Sequence, residues 1–211
     1  MKRIAIILSC YLSLLLQTSI GLTQSKTTPS ATSTSSSAPL VPGVLDHGGK
    51  IETKYDGFNH ETVVTLKKMR ITCGAAKGIQ SVLKDTCVSF VASLHCPGKQ
   101  LDYVRYAKLQ LIVETKDWDR RHPPDERDLI VVADGERLRL GTMGLLKQDV
   151  NSSQLIDVMK EVLEVSLPYQ AFNKIARSQV VEMKVGNTMF ELKEKNVAAL
   201  RDLSNRVVGH Q

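Results

Sequence analysis

Leu129-Ile130-Val131-Val132-Ala133-Asp134-Gly135-Glu136-Arg137-Leu138-Arg139-Leu140 carries the clearest structural signal in the chain. Two strand-forming runs flank an Asp-Gly pair. Asp-Gly supplies the two positive-φ positions of a type I′ turn, whose twist suits two antiparallel strands. The spacing therefore predicts a tight hairpin. The same period of two recurs upstream. Thr62 to Cys73 is rich in Val, Thr and Ile and reads as a long strand. Cys87 to Leu94 alternates, with Val88, Phe90, Ala92 and Leu94 on one face and Ser89, Val91 and Ser93 on the other. Tyr106 to Thr115 sets Leu109, Leu111 and Val113 against Lys108, Gln110 and Glu114, and Pro97-Gly98 marks the turn region before it.

Downstream, Val158 to Leu167 reads as a strand with Leu163, Val165 and Leu167 inward, although Val158, Val162 and Val165 also suit a helical period. Pro168 to Arg177 fits a short helix, with Pro168 in the first turn and Tyr169, Phe172, Ile175 and Ala176 on one face. Gln179 to Val185, the pair Gly186-Asn187 and Thr188 to Leu192 read as a second hairpin. Glu194 to Val207 is a closing helix with Val197, Leu200, Leu203 and Val207 as its apolar stripe, and Gly209 follows as a stop. Strands and helices do not alternate as βαβ units, which argues against a parallel doubly wound sheet. The expected class is α+β: a mainly antiparallel sheet or sandwich of about seven or eight strands, with two C-terminal helices on one face or edge.

The N-terminus reads differently. Lys2 and Arg3 precede an apolar run from Ile4 to Leu16, and Ser19-Ile20-Gly21 places small residues at −3 and −1 of a cut after Gly21. Residues 1–21 are thus expected to be a signal peptide; an apolar run this short falls below the roughly 20 residues a membrane span needs. A competing reading makes Cys10 a lipid-attachment site. Residues 23–40 hold 13 Ser, Thr or Pro in 18. That composition cannot bury a core, so residues 22–44 are expected to be a linker, able to span roughly 25 Å as a flexible coil. Residues 45–211 then form one globular α+β domain, long enough to bury about 70% of its unfolded surface.

The 211 residues are 42% hydrophobic, 24% charged and 5% aromatic, which excludes collagen-like, Cys-dense and polytopic membrane classes. The net charge is +6, but Lys2, Arg3 and Lys26 precede the first acidic residue, Asp46. Residues 46–211 therefore set 25 basic against 22 acidic side chains, too small an excess for a nucleic-acid partner.

Beyond the leader lie Cys73, Cys87 and Cys96. Export favours a disulfide. If Val88 to Leu94 is one strand, Cys87 and Cys96 are held too far apart to bridge. Cys73–Cys87 is the expected pair, closing a 15-residue loop, with Cys96 free. The cysteine spacings match no compact zinc motif.

No nucleophile elbow, phosphate loop, dinucleotide fingerprint or His-Glu-x-x-His motif occurs, so no catalytic residue, metal or cofactor is nominated. The histidines at 47, 60, 95, 122 and 210 are scattered and are expected at the surface or in loops, with His60 opening a strand. Asp46-His47-Gly48-Gly49-Lys50 reads as a flexible lead-in to the first strand. The segment from Lys116 to Arg127 holds the lone Trp118 with Arg120 and Arg121, and is the candidate interaction surface, because Trp and Arg dominate interface hot spots.

Tyr55-Asp56-Gly57-Phe58 before Thr62-Val63-Val64, the Asp134-Gly135 hairpin ending in Leu140-Gly141, and Leu167-Pro168-Tyr169 running into Val181 to Gly186 and Phe190 to Lys193 resemble, together, a class of exported bacterial proteins that carry no assigned function. The resemblance implies a bacterial envelope setting and brings no catalytic residues with it. The expectation is an exported, non-enzymatic binding or structural module of the bacterial envelope or extracellular space. Its partner would be a protein, a glycan or an envelope component, and its mature form would have no transmembrane helix. The alternative is an envelope hydrolase whose site is assembled from residues distant in sequence.

Overall fold

A computed structural model describes residues 46–73, 86–116, 122–153 and 156–207. Ten strands form two wholly antiparallel sheets. The larger comprises β1 (Ile51–Asp56), β2 (Glu61–Cys73), β3 (Thr86–Pro97), β4 (Tyr106–Thr115), β7 (Gly144–Ser153) and β8 (Ile156–Leu167), in the order β1-β2-β3-β4-β8-β7. The smaller comprises β5 (Asp128–Ala133), β6 (Glu136–Thr142), β9 (Val181–Val185) and β10 (Thr188–Glu191), in the order β10-β9-β5-β6. Helices α1 (Tyr169–Arg177) and α2 (Glu194–Asn205) pack on each other, α2 against β2 and β3, and α1 against β4. The class is α+β, and these elements belong to one compact unit, Gly43–Gln211.

Alternation accounts for the core. Phe90 pairs Leu111, which pairs Leu163; Ala92, Leu109 and Val165 form the next row, and Leu94, Ala107 and Leu167 the third. All nine are buried, in one cluster with Leu129, Val131 and Ala133 of β5, Val181, Met183 and Val185 of β9, and Val197, Leu200, Leu203 and Val207 of the last helical segment. The segment at 158–167 is strand, because its odd-numbered residues from 159 to 167 are the buried ones.

Two strands were not legible by periodicity, and so the count is ten rather than seven or eight. β1 and β7 are the two edges of the large sheet. Each has one strand partner, and side chains such as Leu146 and Val150 remain exposed, so neither strand carries an alternating pattern. The lead-in Asp46–Lys50 is anchored rather than flexible. His47 Nδ1 accepts the Gly49 N–H (3.0 Å) and its Nε2–H donates to Asp202 of α2 (3.2 Å). A Cβ on Gly49 would stand 2.7 Å from Met69 Sδ and 2.8 Å from Leu66 Cδ1, so a larger residue there would have to displace those two side chains.

The I′ turn is present, with Asp134 at φ 48° and Gly135 at φ 84°. The Asp134 carboxylate also accepts the backbone N–H groups of Val180 and Gln179 (both 2.9 Å), tying the hairpin to the segment before β9. Those two bonds, Val180's the larger contribution, hold its pKa below the ordinary value. The stabilisation is therefore present above the unfolded value of about 3.9 and is lost as pH falls through the lower folded value. On acidification, wild type should lose stability in that window, and an Asp134→Asn variant should not. Urea melts across acidic pH check this; parallel pH profiles would contradict it.

Candidate functional site

The register brings one end of the large sheet together from five parts of the chain. Asp56 pairs Glu61, Glu61 pairs Pro97, His95 pairs Tyr106, and Ala107 pairs Leu167. The β1–β2 turn, the 98–105 loop and the start of α1 therefore share this end. So do Tyr55, Tyr103, Tyr106 and Tyr169, all the tyrosines among the described residues. Phe58 sits at the tip of the β1–β2 turn and is 99% exposed, with Tyr103 at 56% and Tyr55 at 38%. The other phenylalanines, 90, 172 and 190, are in the core.

The tip is held in place by its own polar groups. Asp56 Oδ2 accepts from the Asn59 side-chain amide (2.8 Å), and Oδ1 accepts the N–H groups of Phe58 (2.9 Å) and Asn59 (3.3 Å). These bonds, the Asn59 side chain first, keep the Asp56 carboxyl below its usual range. The neighbouring loop is bolted to the turn: Gly98 N–H donates to His60 O (2.7 Å) and Thr62 Oγ1 to Gly98 O (2.7 Å). Lys99 Nζ lies 5.3 Å from the Tyr55 ring centroid, within cation–π range. A hollow of about 430 Å³ is lined by Lys54 to Phe58 and Val63. A second cleft, of about 450 Å³, lies between residues 102–105 and the first turns of α1.

On the sheet face beside this end, Ser93 and His95 lie two apart on β3 and so point the same way. Ser93 Oγ is 3.1 Å from His95 Nε2, and His95 Nδ1 is 2.9 Å from Glu61 Oε1. The imidazole stacks on Tyr106, with centroids 4.4 Å apart. Nearby, Glu164 accepts from Gln110 (2.7 Å) and Lys108 (3.0 Å). Burial raises the Glu164 pKa, but those two donors outweigh it and the net shift is downward. With Nδ1–H donated to Glu61, His95 can accept the Ser93 hydroxyl proton at Nε2, the proton path of a hydroxyl nucleophile. Among the described residues, the backbone beside Ser93 offers no oxyanion hole. β3 is an interior strand paired to β2 and β4, so the N–H groups beside Ser93 are committed to the ladders. Ser93 lines neither cleft described above.

A second hydroxyl–imidazole–carboxylate set is structural. Glu161 points inward between Met159 and Leu163 of β8; His122 Nδ1 lies 2.8 Å from its Oε2, and His122 Nε2 lies 2.9 Å from Thr188 Oγ1 on β10. His122 and Glu161 are 3% and 2% exposed, which closes the group to any substrate and makes it a tie between the two sheets.

The histidine expectation is corrected at His95, a buried strand residue; His47, His60 and His122 lie in loops or turns, as expected, and His210 is outside the described residues. His47, His95 and His122 are buried, each against a carboxylate that satisfies a ring N–H; His60, at φ 50° in the turn just before β2 rather than in the strand, is the exposed histidine among the described residues. The disulfide joins Cys73 and Cys87, which face each other across β2 and β3 at the far end of the sheet from Phe58. Cys96 is free and buried; burial first, then the Asp102 and Glu61 charges, pushes its thiol up to about 11, so it is a poor nucleophile. Trp118, Arg120 and Arg121 lie outside the described residues. Among those described, no group of His, Cys, Asp or Glu could hold a metal ion, and no helix is long and apolar enough to cross a membrane. The aromatic end was missed in the sequence. Its signal was two aromatics, Tyr55 and Phe58, around an Asp-Gly pair, but nothing local says that Tyr103 and Tyr169 join them.

Comparison with protein-family models, with curated proteins and with solved structures finds no match for the chain.

Proposed function

We propose that this chain is an exported, non-enzymatic binding module of the bacterial envelope or extracellular space, and that its contact surface is the aromatic end of the large sheet. The observation that carries this reading is Phe58, 99% exposed on a turn that Asp56 and Asn59 hold rigid. A phenylalanine contributes to folding only when buried, and this one is not. A rigid exposed aromatic loses little conformational freedom on binding and buries a large apolar area in a partner. Export is supported by the leader-like N-terminus and by the Cys73–Cys87 disulfide, since such bonds persist in oxidising compartments. The bacterial setting rests on the resemblance described above.

One experiment addresses both halves. Expressed with its own leader in a bacterial host, the protein should mature to an N-terminus at Leu22 and co-sediment with envelope fractions. Phe58→Ala should leave the melting temperature unchanged, since no core is lost, and weaken capture by about 2 kcal/mol or more. An intact Met1 on the folded product would defeat export, and undiminished capture would defeat Phe58 as the contact.

The Ser93–His95–Glu61 alignment favours a second reading, an envelope hydrolase. Labelling of Ser93 by an alkyl fluorophosphonate, abolished by His95→Ala, would select it. The paired backbone of β3 argues against that outcome.

A further inference from the structure

We propose that the cleft between the 102–105 loop and the start of α1 is a binding site for a saccharide that carries a carboxylate. The inference rests on the binding reading above and names the ligand class at the same end of the sheet.

Its volume of about 450 Å³ lies within the range of small-molecule sites. Two tyrosines line it from two elements, Tyr103 from the loop and Tyr169 from α1. Both are fixed. Val104 is buried beside Tyr103, and Arg105 N–H donates to His95 O (2.8 Å). The Tyr169 hydroxyl is 3.1 Å from Ser204 Oγ, which donates in turn to Asn173 Oδ1 (3.0 Å). Arg177 Nε reaches the same oxygen (3.0 Å), so the acceptor of Asn173 is fully used within the fold. Its amide NH₂ has no hydrogen-bond partner among the described residues, and Asn173 is one of the residues that line the cleft. The exposed Gln170 amide, Asp102 carboxylate and Arg105 guanidinium complete the polar lining, likewise without side-chain partners among the described residues.

This set matches a sugar and mismatches the other common ligands. Aromatic faces carry negative quadrupole density and attract the C–H-rich face of a pyranose ring. Sugar hydroxyls donate and accept, and the cleft offers both: donors on Asn173, Gln170 and Arg105, an acceptor on Asp102. A purely apolar ligand would strand those groups. The sign of the ligand follows from Arg105. Lys174, the other cation of the lining, is answered by Glu136, whereas the Arg105 fork is free to bind a carboxylate with two parallel bonds.

The test uses the mature protein with galacturonic acid and its methyl ester as probes, which differ by one carboxylate charge, read by calorimetry and by amide chemical-shift mapping. The acid should bind, with shifts at 102–105 and 169–174, and the ester should bind about tenfold or more weakly, the loss of one bidentate charge pair. Arg105→Ala should erase the difference between acid and ester, and Tyr103→Ala should weaken both. Both side chains are exposed, so neither change should alter the melting temperature. No binding of either probe at millimolar concentration, or equal binding of both with Arg105→Ala inert, overturns the inference. If the probes fail while Phe58→Ala still abolishes envelope capture, the saccharide assignment falls and the binding reading stands. If capture is also unaffected, both fall.

Discussion

Glu161→Ala should cost about 3–5 kcal/mol of folding stability, the largest effect expected of any single polar substitution in this protein. The change removes the carboxylate facing His122 Nδ1 at 2.8 Å, and both groups are almost wholly buried. The imidazole N–H would lose its acceptor where no water reaches it, and a cavity would open between Met159 and Leu163. Both penalties fall on one site. Glu161→Gln keeps an acceptor oxygen in place and should cost less than half as much. Thr188→Val, which takes only the hydroxyl from Nε2, should cost about 1 kcal/mol. Urea denaturation of the three variants gives the order directly. If Glu161→Ala melts with wild type, the network is not the tie between the sheets.

Removal of the disulfide is the second large effect. The Cys73→Ser, Cys87→Ser pair should lower stability by about 3 kcal/mol, the chain-entropy value for a loop of this length. The register fixes the reason. Cys73 and Cys87 already oppose each other across β2 and β3, so the bridge restricts the unfolded chain more than the folded one. The denaturant slope should rise in the variant, because an unbridged chain exposes more surface on unfolding. Peptide mapping without reduction should recover the 73–87 crosslink. A bridge between Cys87 and Cys96 would be incompatible with β3, which spans the residues between them.

The elements that were legible in the sequence share a physical property: their signal is local. The Asp134-Gly135 turn needs two residues in positive φ, and those residue types declare it. Val88 to Leu94 and Tyr106 to Thr115 are interior strands with one core face, so period two is written along them. α2 buries Val197, Leu200 and Leu203, and its stripe shows. The edge strands β1 and β7 have no such face to bury, and their sequences record none.

The candidate site was less legible, because its parts are assembled by register. Tyr55, Tyr103 and Tyr169 are separated by long stretches of chain and meet at one end only because β2, β3, β4 and β8 pair antiparallel with that alignment. Glu161 and His122 are similar: a carboxylate in an inward position of β8 reads as a misplaced charge until the loop before β5 supplies its partner.

The α+β class, the two hairpins, both helices and the cysteine pairing can thus be read along the chain, since each follows from neighbouring residues or from the reach of a single strand. Which sheet each strand joins, which histidines are buried and where the exposed aromatics gather emerge from the folded chain alone. Those outcomes depend on pairing between distant segments, whose free energy is set by the whole core and is written in no local stretch of residues.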